Sequence, residues 1–256
     1  MNNNEFYVGY LPMPSRLKKK LTILICSAVA IVLTACIVIA SSQKKLKGGV
    51  FEYGIVKNIE GVFHRMPIPA IDVFGNDGKV ITIPLVGYGK HGADGYVDEY
   101  ERVHSVNLDG KMITIQGSLI YRSDKIILEV ENNSFIIKVT SAVSGKKKAK
   151  QLTDTLITGQ IIDPKCYFGV MNPGEGKPHR ECAIRCISGG IPPMFMVRLK
   201  NGDEQFYILR GGKGEDISKN ILDYVADQAE IKGNVYAFGN WMVIEMASIK
   251  RLRDKN

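Results

Sequence analysis

The longest feature in the hydrophobic pattern is Leu21–Ala40 (LTILICSAVAIVLTACIVIA), twenty residues without a charge. A helix over that run reaches about 30 Å, the thickness of a bilayer's hydrocarbon core, and the pattern predicts a single transmembrane anchor. A cleaved signal peptide is the competing reading, but its apolar core is shorter, about 7–15 residues, and ends at a small-residue cleavage site. Leu33-Thr34-Ala35-Cys36 also has the pattern of a lipoprotein processing box, with Cys36 as the lipidated residue. Against it, Ile37–Ala40 stay apolar where a mature lipoprotein turns polar.

Past Gly48-Gly49 the pattern changes to short alternating runs, the signature of half-buried strands. Val50–Val56, Gly61–Arg65 and Ala70–Phe74 precede a turn at Gly75-Asn76-Asp77-Gly78 and the β-branched run Lys79–Leu85. Tyr88–Tyr96 (YGKHGADGY) is read as a loop because of its glycines. Met112–Gln116, Leu119–Tyr121, Ile126–Val130 and Phe135–Val139 complete a first β unit, residues 50–140. Residues 141–151 follow as a lysine-rich linker, and 152–250 form a second unit opening on the strand Thr155–Ile162. That unit continues with Met194–Leu199 and Gln205–Leu209, and ends in a hairpin around Gly239-Asn240. Ile217–Ala226 spaces Ile217, Ile221, Leu222 and Val225 at helical intervals and predicts a helix.

The units resemble each other. Residues 115–130 align without gaps on 231–246, matching Gly117 with Gly233, Ser123-Asp124 with Gly239-Asn240, and Glu129 with Glu245. Each unit has short strands and at most one helix. The pattern predicts a mostly β chain: an N-terminal transmembrane helix, then two small OB-like β-barrels related by an internal repeat.

The net charge of +8 suggests a polyanion partner until it is located. Residues 1–47 hold seven basic residues against one acidic, which leaves 27 basic and 25 acidic residues in the body. The excess flanks the anchor, and nucleic-acid binding is not signalled. Four basic residues precede the apolar run and three follow it, so the positive-inside rule hardly discriminates. The early position of the run makes residues 1–20 a cytoplasmic tail and puts the body outside the cytoplasmic membrane.

Candidate chemistry concentrates between Gly159 and Pro193, where Cys166, His179, Cys182 and Cys186 fall in a span with neither strand alternation nor linker character. A short helix from Pro178 to about Ile187 is expected, with proline at its start and Gly189 past its end. It would carry His179, Cys182 and Cys186 on one stripe, with His179 and Cys186 about 10 Å apart along the axis, too far for one ion. A metal site would then take Cys166 and one adjacent helical pair, with zinc or copper(I) as candidate ions. The alternative is a structural disulfide from Cys166 to Cys182 or Cys186, leaving one thiol free for redox chemistry. Lys90 and His91, in GYGKHGA, make a secondary candidate loop.

The block DPKCYFGVMNPGEGKPHRECAIRCISGGIPP resembles a family of bacterial membrane-anchored proteins that carry the same Cys/His/GGIPP stretch and have no established activity. The tail EFYVGYLPMPSR and the loop GYGKHGA are similar to that family too. The resemblance implies a bacterial membrane context and one functional block. Two functions fit: a metal- or thiol-handling accessory beside an envelope oxidoreductase or respiratory complex, or a scaffold module whose cysteines staple a loop. No nucleophile elbow, Ser/His/Asp order or paired acid is legible, which inclines the reading away from an enzyme.

Overall fold

The computed structural model describes residues 13–42, 48–75, 77–131, 136–142 and 151–252. The chain divides into two compact units, Met1–Leu46 and Lys47–Asn256. The first holds a helix, α1 (Ser15–Ser42), of 28 residues with mean hydropathy 3.0 over its best window. It is long and apolar enough to cross a membrane. Its start lies before the apolar run because the Pro14 carbonyl accepts the Lys18 N–H at 2.9 Å, and proline fits a helix start. Thr22, Ser27 and Thr34 turn their hydroxyls back onto carbonyls one turn earlier, so no hydroxyl among them presents an unmet donor.

The second unit contains two closed five-stranded barrels. The first comprises β1 (Val50–Phe51), β2 (Lys57–His64), β3 (Ala70–Phe74), β4 (Val80–Val86), β5 (Lys111–Arg122), β6 (Lys125–Val130) and β7 (Ile136–Ala142). Its ring runs β5-β2-β3-β4-β6 and closes by pairing β6 with β5; β1 and β7 add to the outside of β5. The second comprises β8 (Gln151–Ile162), β9 (Met194–Arg198), β10 (Glu204–Gly211), β11 (Gln228–Phe238) and β12 (Trp241–Arg251). In both rings the first strand pairs with the second and the fourth, and the third runs parallel to the fifth. This shared Greek-key order is OB-like.

The repeat extends to single residues. Gly117 and Gly233 occupy the same place in the fourth strands, where a Cβ would meet the Glu129 carbonyl oxygen at 2.3 Å and that of Glu245 at 2.2 Å. Gly61 and Gly159, in the first strands, are pressed in the same way against the carbonyls of Asp72 and Met196.

Two local expectations are corrected. The Tyr88–Tyr96 loop runs into a helix, α2 (Asp94–His104), which seats Ala93 and Val97 fully in the first barrel's core. The Ile217–Ala226 helix is replaced by two 3₁₀ turns, Ser218–Asn220 and Leu222–Tyr224. Asp216 accepts from both the N–H and the hydroxyl of Ser218, and the Ala226 N–H bonds the Ile161 carbonyl at 3.2 Å, with Ala226 at φ +66°. The predicted apolar positions Ile217, Ile221 and Val225 are buried all the same. Most of the expected linker, residues 143–150, lies outside the described residues; β7 runs to Ala142 and β8 starts at Gln151.

One apolar cluster joins Ile68, Val86, Ile120 and Ile127 of the first barrel to Tyr167, Phe168, Phe206 and Trp241 of the second. At its edge the Trp241 Nε1–H donates to the Thr82 carbonyl at 2.8 Å, and the Asn240 side chain accepts from the Thr82 N–H at 2.8 Å.

Candidate metal centre

The first and second strands of the first barrel are joined by residues 65–69, whereas residues 163–193 make the same connection in the second. That longer connection carries all three cysteines of the body. Asp163 organises its start. Its Oδ1 accepts the Lys165 N–H at 2.9 Å and its carbonyl accepts the Tyr167 N–H at 3.0 Å, leading into the π-helical turn Cys166–Val170, which the Met171 N–H closes on the Cys166 carbonyl at 3.0 Å. Buried Gln160 holds the middle by donating to the Ala226 carbonyl and accepting the Gly176 N–H. A 3₁₀ turn, Lys177–His179, leads into α3 (Arg180–Ser188). The helix ends where the Gly189 N–H bonds back to the Arg185 and Cys186 carbonyls, and Gly190 follows at φ +97°, a conformation that suits glycine.

This path brings Cys166 against the inner face of α3. Ligand atoms of Cys166, His179 and Cys182 all lie within 4.8 Å of one another. A second group at the same spacing is Asp163, Cys166 and Cys186. Cys166 is common to both, while His179 and Cys186 fall in different groups; the expected helix from Pro178 starts only at Arg180, so His179 ends the 3₁₀ turn instead of lying on α3. Asp163 escaped the sequence reading, which sought thiols and imidazoles; its place three residues before Cys166 was the available signal.

The electrostatics are those of a dry site. Among the described residues, His179 is 3% exposed and its Nε2 has no hydrogen-bond partner; Asp163 is fully buried and its Oδ2 has none beyond the Cys166 thiol. Each such orphan costs about 1–3 kcal/mol unless something satisfies it. Burial holds the His179 imidazole below its ordinary range, so it is neutral and has the form that ligates metal. The Cys166 thiol is pushed far up by its hydrogen bond with Cys186, by burial and by the Asp163 charge. All three cysteines are outside any disulfide, Cys166 and Cys186 buried and Cys182 half-buried.

The first barrel contributes one wall. The Lys90 ammonium approaches Cys182 Sγ at 3.4 Å, and this contact raises the Lys90 pKa. Its loop is gripped from both sides: the Gly92 N–H bonds the Gly189 carbonyl at 3.0 Å, and Lys165 donates to the carbonyls of Gly87 and Gly89. Of the secondary pair, Lys90 therefore joins the cluster and His91 does not. The exposed His91 lines a cleft of about 680 Å³ with Tyr96, Tyr100, His104 and Gly190. His64 is bonded to Asp72 at 3.0 Å, and Cys26 and Cys36 lie on α1.

No protein-family model matches the chain, and no curated protein does. Among solved structures, a deletion mutant of the single-stranded DNA binding protein from Thermus aquaticus is similar at 11% identity and TM-score 0.24, over 82% of this chain and 98% of that one. A likeness at that level carries no argument, and the OB-like assignment rests on the strand order.

Proposed function

We propose that Cys166, His179 and Cys182 hold a thiophilic metal ion, zinc or copper(I), on a body tethered by residues 21–40 to the extracytoplasmic side of a bacterial membrane. The observation that carries the reading is the ring nitrogen of His179, without a hydrogen-bond partner among the described residues and buried beside two convergent sulfurs. Two thiolates and a neutral imidazole are a zinc-type donor set with a fourth position open, and their softness also suits copper(I). The protein then acts as an accessory that holds or passes the metal beside an envelope oxidoreductase or respiratory complex. A disulfide from Cys166 is the competing reading, favoured by its hydrogen-bond contact with Cys186.

Metal analysis and thiol counting on full-length protein, purified anaerobically in detergent, separate the two. Binding predicts about one metal ion or more per chain, sharply reduced in His179→Gln and Cys182→Ser. Metal-free protein in which only one of the three body cysteines reacts as a thiol would reject binding in favour of the staple.

A further inference from the structure

The two ligand groups meet at one sulfur. We infer that Cys166 bridges two divalent ions: an outer one held with His179 and Cys182, and an inner one held with Asp163 and Cys186. This inference rests on the metal-binding reading above and extends it to a second site.

Three observations carry it. First, each group is complete by itself, with three ligand atoms within 4.8 Å of one another. Cys182 and Cys186 are one helical turn apart on α3, and Cys166 is grouped with each of them separately, which is the placement of a bridging thiolate. Second, each group has a buried polar atom left over: among the described residues His179 Nε2 in the outer has no hydrogen-bond partner, and Asp163 Oδ2 in the inner has none beyond the Cys166 thiol, which a metal would deprotonate. One ion in the outer position satisfies the imidazole and leaves the carboxylate oxygen unmet. Asp163 is already oriented for ligation, because Oδ1 is committed to the Lys165 N–H and fixes the carboxylate plane. Third, Asp163 brings a buried charge that the outer ion does not meet: among the described residues no basic side chain pairs with it, since the adjacent Lys165 pairs with Glu129 and the Lys90 ammonium lies at Cys182.

The inner donor set also selects the metal. A carboxylate beside two thiolates suits zinc, which accepts oxygen, nitrogen and sulfur alike, and disfavours copper(I), which seeks soft donors. Each ion has three protein ligands, leaving a fourth position.

Cadmium, a thiophilic stand-in for zinc, tests the bridge. Full-length protein in detergent is stripped of metal under reducing conditions, titrated with an NMR-active cadmium isotope and observed by cadmium NMR. The inference predicts two equivalents bound and two resonances split by mutual coupling through the Cys166 sulfur. In Asp163→Asn, whose amide oxygen can still accept the Lys165 N–H, binding should fall to one equivalent and the remaining resonance should collapse to a singlet. One equivalent in the unaltered protein would overturn the bridge and leave the single-ion reading standing. Two uncoupled resonances would overturn the bridge too, placing the second ion elsewhere. No bound cadmium would overturn both.

Discussion

Lys165 is 4% exposed, yet its ammonium has three acceptors: the carbonyls of Gly87 and Gly89 and the carboxylate of Glu129. It sits next to Cys166 in sequence and reaches into the opposite barrel, so it ties the Cys/His loop to the wall that carries Lys90. Removing one partner of a buried pair strands the other. Lys165→Met should therefore cost about 3–5 kcal/mol, measured by denaturant unfolding, against a much smaller loss for the paired change with Glu129→Gln. The pH dependence has a definite sign. Burial holds the Glu129 carboxyl above its ordinary range, and Lys165 opposes that rise. Without Lys165 the folded state retains its proton to higher pH than the unfolded chain does, so stability falls as pH rises through the window between the two. The deficit of Lys165→Met should be larger near neutrality than at mildly acid pH; an equal deficit at both would mean that Glu129 is not the stranded group.

Among the elements, the C-terminal end of α3 and the loop at residues 87–92 meet backbone to backbone. A Cβ on Gly189 would lie 1.9 Å from the Lys90 carbonyl oxygen, and one on Gly92 would lie 2.0 Å from that of Gly190. Gly189→Ala should push the loop off the helix end and destabilise the protein by about 1–3 kcal/mol, because backbone on both sides must yield. Gly95, inside α2, faces open space, and a Cβ there would meet nothing within 4 Å. Gly95→Ala should therefore be neutral or stabilising by up to about 1 kcal/mol. Thermal melting of the two variants checks the pair; equal effects would contradict the close contact. The same elements show what the sequence made legible. The strands and the hairpin repeat were readable because alternation and the Gly117/Gly233 match are local signals. α2 was hidden by Gly92 and Gly95, although Ala93, Tyr96, Val97 and Tyr100 keep a helical stripe. Ile217, Ile221 and Val225 kept helical spacing while the Asp216–Ser218 bonds wound tighter turns. Helix spacing limited a site to Cys166 with one adjacent pair and left the pair open, and Lys90's place at Cys182 depends on how the barrels pack, of which spacing within one segment holds no record.

The whole body is two barrels of one topology joined through a shared apolar cluster, with the Cys/His loop of one walled by a loop of the other. Trypsin should cut the lysine-rich stretch around Lys146–Lys150, yet the halves should stay together on gel filtration, since Ile120 and Ile127 share a buried cluster with Phe168 and Trp241. Halves that separate would contradict a common core. The central claim is that sulfur and imidazole from the Asp163–Pro193 connection hold metal, and X-ray absorption at the metal edge tests it most directly. On zinc-loaded full-length protein the account predicts a shell of sulfur scatterers at about 2.3 Å with nitrogen or oxygen at about 2.0 Å, the sulfur shell depleted in Cys166→Ser. A shell of oxygen and nitrogen alone, unchanged by Cys166→Ser, would contradict it.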